Sequence, residues 1–475
     1  MEPRSEPAPT VWPFPFTLQD WAQTPLAVQA YVRALRDEVA QLHDRVETLE
    51  ARLHQNSTTS SRPPSSDSPY KKPRPRTPTT RQKAGGKPGH PGHRQGLLPP
   101  TTVQELRPER CACGNTTFAM TTPYHTPQVI ELPPIAMEVT HWVLQQGWCT
   151  ACGRRCQAQV PDEHATGYGP RFSALVGELA GTYGSGRRMV QTFCASVLQI
   201  PISLGAIQKV LDRVAQAIEP HYSAIATQAR HALVNYIDET PWFLTNTFQW
   251  LWVMASDTVA FYMIHPHRSK EAFAALIDDW AGILVSDGYG VYRTWVASRQ
   301  TCLAHLIRTA RGLAERQNAE LAACGAWALA ELQRLCHMAT APPTGGAWRA
   351  WYARLCKLIE QYHDRTDEAG RFARRLLREM DSLWVFLVHY GVDATNNRAE
   401  RALRFGVLWR KRSLGTASSK GNRWVERILS LKETCHLHAK ATYTVLGDAV
   451  SSFFQGQPPD LSWINAGVRT AAHPL

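Results

Sequence analysis

Three acidic residues stand where a sequence can gather them. Asp238 closes the run LVNYID and Asp287 closes the run GILVSD, each an apolar stretch that reads as a buried strand with a carboxylate at its end. Glu400 lies in DATNNRAERALRFGVLWRKR, where Thr395 or Asn396 is placed to cap a helix and Glu400 falls in its early turns. Carboxylates at the ends of neighbouring strands can point into one crevice. Hard cations such as Mg²⁺ or Mn²⁺ prefer carboxylate oxygen and keep water or phosphate as their other ligands. Two such ions about 3.5–4 Å apart stabilise the entering and leaving oxygens of an in-line phosphodiester displacement. In that arrangement Asp238 bridges both ions, Asp287 and Glu400 each hold one, and Arg401 and Arg404 contact phosphates on either side. Any one Asp is more often a turn or cap residue, so spacing alone leaves both readings open.

The elements around the acids follow from periodicity. LVNYID, FQWLWVMA and VAFYMIH read as three strands, SKEAFAALIDDW as a helix and GILVSD as a fourth strand. Cys302 and His305, in TCLAHL, follow the second Asp after a short apolar segment; they either organise the site, contact DNA or form a buried packing pair. Helical spacing puts Asn397, Glu400 or Arg401, and Arg404 near one face. His265, His267 and Arg268, in HPHRSKEA, read equally as a phosphate-facing loop or a solvated turn.

Upstream the chain changes character several times. Val32, Leu35, Val39, Leu42, Val46, Leu49 and Leu53 form the heptad seam of a coiled coil, with Val mostly at a and Leu at d, a choice that favours two parallel strands. A helix packing on its own chain is the plainer alternative. Between Ser68 and Gln104 no acid occurs, while Lys71, Lys72, Arg74, Arg76, Arg81, Lys83, Lys87 and Arg94 supply a cationic arm, either a solvated tether or one that follows a phosphate backbone. Cys111 and Cys113 in CACG, and Cys149 and Cys152 in CTACG, form two knuckles suited to one tetrahedral structural Zn²⁺, with Cys156 as substitute ligand because the first knuckle is CxC rather than CxxC. The segment between them alternates in short β-like stretches, as in a zinc ribbon. From Phe172 to about Ile218 three short helices are expected, the last capped by Ser203; a helix-turn-helix and generic helical packing fit equally.

Composition sets the bounds. At 475 residues, 44% hydrophobic and with 16 Trp, the chain can bury several domain cores. A formal net charge of +12 suits a polyanionic partner, nucleic acid before an anionic membrane surface. No apolar run of about 18 residues is present to span a bilayer, the first residues lack the core of a signal peptide, and no GxxxxGK[ST] phosphate loop occurs. The expected location is the cytoplasm, associated with the nucleoid. Eleven Cys, an odd number unevenly spread, speak for metal or reduced thiols rather than a disulfide framework.

From the coiled coil to near the C-terminus, the chain resembles the large transposase of the bacterial insertion sequence sixty-six family. The resemblance rests on QNSTTSSRPPSSD, GGKPGHPGH, the two knuckles, YIDETPW with WLWV, SDGYGVY, CLAH, TNNRAERALR and RSLGTASSKGNRWVERILSLKETC. It implies an RNase H-like fold with a DDE triad, carried over to Asp238, Asp287 and Glu400, and metal-dependent cleavage of DNA at the element's ends followed by strand transfer into target DNA. It also implies that residues from about 306 to 392 form a helical insertion. The expected organisation is a disordered N-terminus (1–25), coiled coil (26–55), basic linker (56–104), zinc-ribbon-like β module (105–165), helical helix-turn-helix-like segment (166–230), and an α/β RNase H-like catalytic domain (231–305 and 393–455) split by the insertion (306–392), then a tail (456–475). Expected partners are terminal inverted repeats, target DNA, a second copy through the coil, and accessory proteins of the same element. A nuclease or resolvase without strand joining, and a non-catalytic zinc-containing DNA-binding protein, are the competing readings.

Overall fold

The computed structural model describes residues 17–53, 55–56, 58–60, 95–161, 164 and 167–465. The arm cations Lys71, Lys72, Arg74, Arg76, Arg81, Lys83, Lys87 and Arg94 lie outside the described residues. The chain divides into two compact units, one of residues 69–160 and 191–203, the other of residues 1–68, 161–190 and 204–475.

In the larger unit, α1 (Leu18–Gln23) begins at a capping box in which Thr17 and Asp20 satisfy each other's backbone amides, an ordered turn where none was expected. α2 (Leu26–Leu53) is a single helix along the heptad segment, and Leu35, Val39, Leu42, Val46 and Leu49 of its seam are exposed.

The smaller unit has two strands among its described residues, β1 (Gln146–Trp148) and β2 (Arg155–Gln157), an antiparallel hairpin around the second knuckle. Before Gln146 the alternating stretch between the knuckles forms no strand. Pro123, Pro127, Pro133 and Pro134 remove ladder donors there, and no neighbouring strand takes up the rest. Nearly all its described side chains from 95 to 160 are exposed, including Val129, Leu132, Val143 and Trp148.

Helices come next: α3 (Pro170–Gly177), continued by a π-helical turn (Glu178–Thr182), then α4 (Arg187–Ser196), α5 (Leu204–Ala217) and α6 (Glu219–His231). α5 begins directly after Ser203. Beyond them stands a mixed five-stranded sheet of order β5-β4-β3-β6-β7. β3 (Val234–Leu244), β4 (Thr247–Ala255) and β5 (Ala260–His265) are antiparallel. α7 (Lys270–Ile277) leads to β6 (Ile283–Ser286), which runs parallel to β3, and β7 (Arg299–Thr301) runs parallel to β6.

Two points differ from the sequence reading. β3 does not stop at Asp238 but continues through Pro241 to Leu244. The β6 ladder ends at the Tyr236–Val285 pair, and from there to a single bridge between Leu244 and Thr416 the ladder partner of β3 among the described residues is β4, so Pro241 falls where one side of the strand is free. β7 was missed because its three buried residues, Arg299, Gln300 and Thr301, are all polar. They are satisfied internally: Arg299 pairs with buried Glu379, Thr301 Oγ1 donates to the same carboxylate at 2.5 Å, and Gln300 Nε2 donates to Leu383 O at 3.1 Å while its Oε1 accepts from Phe386 N at 3.1 Å.

Between the second Asp and the Glu lie α8 (Leu303–Ala314), α9 (Ala319–His337), α10 (Gly345–Tyr362), α11 (Glu368–Arg378) and the short α12 (Val385–Val388). They share a core of their own that includes Leu306, Leu332, Trp351, Leu355 and Phe372. α13 (Asn397–Ser413) and α14 (Ser419–Leu437) return to the sheet, followed by α15 (Thr442–Phe454) and α16 (Ser462–Asn465).

The sheet has two covered faces. Ile237, Trp252, Met254 and Leu284 face a core with α6 and α7, whereas Tyr236, Trp242, Leu251, Val253 and Val285 face α13 and α14. α13 lies so close that a Cβ at Gly406 would stand 2.6 Å from Leu251 Cδ2. α14 also covers the outer edge of β5. Glu426, Ser430 and Thr434, one helical turn apart, accept from the backbone N–H of Ile264, Tyr262 and Ala260 at 2.7, 3.0 and 3.2 Å, leaving those edge donors paired.

Candidate active site

Strand parity decides which way the acids face. Asp238 shares the side of β3 that carries Tyr236 and Trp242, towards α13, and Asp287 continues the parity of Ile283 and Val285 one residue past β6. The β3–β6 register, Val234 with Ile283 and Tyr236 with Val285, extended by two residues brings Asp238 level with Asp287. Glu400 sits in the first turn of α13 over the same face. The three groups feel one another: Asp238 is pushed well above the usual carboxylate range, first by burial, then by the negative charges of Glu239, Asp287 and Glu400, against a backbone N–H of Glu239 that donates to Oδ1 at 2.9 Å. Asp287 Oδ1 accepts from Tyr289 N at 2.8 Å, which fixes the turn of the DGY loop.

The N-terminus of α13 is pinned by TNN and CLAH together. Asn396 occupies the cap position, but its side chain makes no cap bond; Nδ2 donates instead to Ile237 O at 2.9 Å, beside Asp238. Its backbone N–H donates to Cys302 Sγ at 3.1 Å, and Leu303 N donates to Ala394 O at 3.0 Å. Cys302, at the cap of α8, is fully buried and its thiol is pushed up to about 11 by burial. His305 Nε2 lies 3.7 Å from Glu400 Oε1, and Arg308 Nη2 lies 3.2 Å from the same oxygen. Burial, then the Arg308 charge, holds the His305 imidazole below its ordinary pKa. Cys302 and His305 therefore adjoin the acids. Arg401 and Arg404 are exposed on α13, where Arg401 is one of the cations that partly offset the burial that raises the Glu433 pKa, and Asn397 is exposed at the first helical position.

Two groups were not foreseen. Glu239 alternates to the opposite face of β3, where it is buried, pairs with Arg268 at 2.5 Å and accepts from Tyr292 Oη; burial lifts it to about 7 in spite of Arg268. Arg268 lies 3.8 Å over the Tyr289 ring, and its carbonyl accepts from Tyr289 Oη at 2.8 Å. A chain of contacts thus runs from the residue next to Asp238 to the loop of Asp287. Period-two alternation held the signal: a strand acid behind Asp238 had to enter a core and needed a cation, which HPHR supplies.

The second is Arg375, delivered by α11. Its guanidinium lies against Gly288, where any Cβ would collide with it. Its pKa is lowered first by burial, while the charges of Glu379 and Asp287 pull it up, and its own charge reaches His305. No hydrogen bond or ion pair of this guanidinium occurs among the described residues. In the sequence it lay within the helical insertion that the resemblance implies, with no local signal of a place beside the acids.

This chain's sequence shows the same relationship from outside. The family model described as Transposase IS66 family matches residues 185–423, a span holding all three acids, CLAH and the helices between them. The chain belongs to the IS66 family of transposases. A family of unknown function, DUF6444, matches residues 19–96. An uncharacterised protein of Sinorhizobium fredii, y4qI, is 25% identical over 247 residues, 45% of this chain and 45% of that protein, so the match spans just under half of the relative's length.

The zinc candidates are arranged differently. Each knuckle closes its own turn, with Gly114 N donating to Cys111 O and Gly153 N to Cys149 O, both at 2.8 Å. The Cys111 and Cys149 thiols are held below their ordinary value, by hydrogen bonds from Cys113 and Cys152 respectively. The two turns do not gather into one ligand group; among the described residues the group of metal-ligand type is Cys302, His305 and Glu400, with ligand atoms within 4.8 Å of one another. Asp238, Asp287 and Glu400 do not form so tight a group, and a set of like charges spanning two ions has reason to be wider. Their donor chemistry fits hard divalent cations, because burial and neighbouring negative charge raise Asp238 and no cation forms an ion pair with that carboxylate among the described residues.

Proposed function

We propose that this transposase is of the DDE type, with Asp238, Asp287 and Glu400 holding two Mg²⁺ or Mn²⁺ ions, and that it cuts DNA at the ends of its insertion sequence and joins them to target DNA. The observation that carries the reading is the convergence of the three acids on the α13 face of a mixed sheet, close enough for Asp238 to be lifted by both others. The order of the strands, three antiparallel and two parallel to the first, supports an RNase H-like domain. The ions, when bound, neutralise charge on the entering and leaving oxygens. Asp238 and Asp287 orient their free oxygens through the amides of Glu239 and Tyr289. Arg375, a guanidinium beside Asp287 with no hydrogen-bond or ion-pair partner among the described residues, is placed to take a non-bridging phosphate oxygen, and Arg401 and Arg404 to hold the flanking backbone.

DNA binding is assigned to the cationic arm, the knuckle unit and the helices before β3, pairing between copies to the α2 seam, and structural zinc to Cys111, Cys113, Cys149 and Cys152, with Cys156 in reserve. A segment that buries so little of its own apolar surface has reason to use a metal for its fold. Terminal repeats, target DNA and accessory proteins of the element are the proposed partners, in the nucleoid. The test is Mg²⁺- or Mn²⁺-dependent cleavage and joining of DNA carrying the element's own end. Asp238→Asn and Asp287→Asn should abolish it while gel shifts persist; cleavage without any joined product would leave a nuclease instead.

A further inference from the structure

We propose that Cys302, His305 and Glu400 form a second metal site, selective for a borderline-soft divalent cation such as Zn²⁺ or Co²⁺ and distinct from the carboxylate site that shares Glu400. Three different ligand types meet here, with their donor atoms within 4.8 Å of one another. The CxxH spacing places Cys302 at the cap of α8 and His305 one turn on, so both donors project from one rigid turn. His305 is 8% exposed, with Nε2 facing Glu400 and Nδ1 without a hydrogen-bond partner, a buried polar group that the protein alone leaves unsatisfied.

The donor set is what distinguishes this site from its neighbour. Thiolate and imidazole select zinc-like ions, whereas carboxylate oxygens and water select magnesium-like ones. Three protein ligands leave a fourth tetrahedral position open for water or a phosphate oxygen. Binding converts the Cys302 thiol to a thiolate and releases one proton to solvent, so thiolate and carboxylate together match the two positive charges of the ion. Arg308, which shares Glu400 Oε1, must turn aside, and Arg375 and Asp287 are the other charges that face His305. A soft ion seated here holds Glu400 away from the hard-ion pair, so it should act as an inhibitor. That consequence rests on Glu400 being a catalytic ligand; the site itself does not.

Co²⁺ alone, added to the full chain, is the probe, and the thiolate-to-cobalt charge-transfer band is the readout. The knuckle thiols are present in wild type and in Cys302→Ser alike, so the difference between the two spectra isolates this site. Cys302→Ser keeps an acceptor for Asn396 N and should lose one thiolate's share of the band. His305→Ala leaves the Cys302 contact intact and should weaken Co²⁺ at this site by at least about tenfold, as should Glu400→Gln. Identical bands and stoichiometry in wild type and Cys302→Ser, or an unchanged titration in His305→Ala, would overturn the proposal. Neither result depends on whether Mg²⁺ supports cleavage.

Discussion

Replacing Glu400 by Gln separates chemistry from folding. The amide keeps the shape of the side chain and removes its charge. On the structural side, the loss is one ion pair with Arg308 at 3.2 Å and a weaker approach by His305 at 3.7 Å, around a carboxylate whose side chain is 31% exposed. Partly exposed pairs contribute about 0–1 kcal/mol, and removing one of the charges that repel Asp238 works in the opposite direction. The net change in stability should stay within about 1 kcal/mol, a shift of about 2–4 °C in melting temperature for a domain of roughly 150–250 residues. On the chemical side, under the proposed reading a hard cation would lose one anionic ligand at the reacting phosphate. Removing one preorganised charge-stabilising group typically costs about 10²–10³ in rate, and a metal ligand should fall at the upper end or beyond it. Nicking of end-containing DNA in Mg²⁺, a gel shift and a thermal melt on one preparation decide the matter. Asp257, Asp278 and Asp279, all exposed, serve as controls that should leave cleavage nearly unchanged as amides. Cleavage by Glu400→Gln within about tenfold of wild type would refute the triad. A melting point lowered by more than about 10 °C together with lost DNA binding would make Glu400 a structural residue instead.

Arg375→Gln should lower cleavage by about 10²-fold or more with binding nearly intact, and Arg375→Lys should recover only part of it, because a point charge cannot replace a guanidinium fork; equal rates in all three proteins would remove Arg375 from the site. Deleting residues 1–55 should reduce the mass measured by analytical ultracentrifugation to that of a single chain, since the exposed α2 seam loses its place to pair; an unchanged distribution puts the interface elsewhere. Elemental analysis should find about one tightly held zinc per chain beyond any held at Cys302 and His305, and that one should be lost when Cys149 and Cys152 become Ser; full retention in that variant would exclude the knuckle as its holder. Burial chiefly pushes the Glu426 carboxyl up from its ordinary range to about 7. A raised carboxyl pKa means that the folded state holds the proton more tightly, so this group's contribution to stability is full below about pH 4.5 and is lost as pH rises through about 7, by at most ~3 kcal/mol. Glu426→Gln should flatten that part of the stability–pH curve while still accepting from Ile264 N; an unchanged curve would mean that the carboxyl is ionised without penalty.

Much of the site was legible because its signals are local. A strand ending in an acid, a helix beginning near TNN and a CxxH turn each announce themselves within a few residues, and Asp287 follows β6 and Glu400 falls in the first turn of α13 as their periodicity implies. The heptad segment likewise became one helix. Local pattern carried no information about partners distant in the chain. That β3 runs on past Asp238 depends on where the β6 ladder stops. β7 is a strand because Glu379 and the α12 segment satisfy its buried polar residues, although only the Thr of Arg-Gln-Thr favours a strand. The meeting of Cys302 with Asn396, of Arg308 with Glu400 and of Arg375 with the Asp287 loop spans about ninety residues of chain in each case, and only packing of the inserted helices onto the sheet brings them together. The sequence therefore determined which groups were available for chemistry. Tertiary structure decided which of them share a cleft, because burial and Coulomb energy depend on distances through space rather than along the chain.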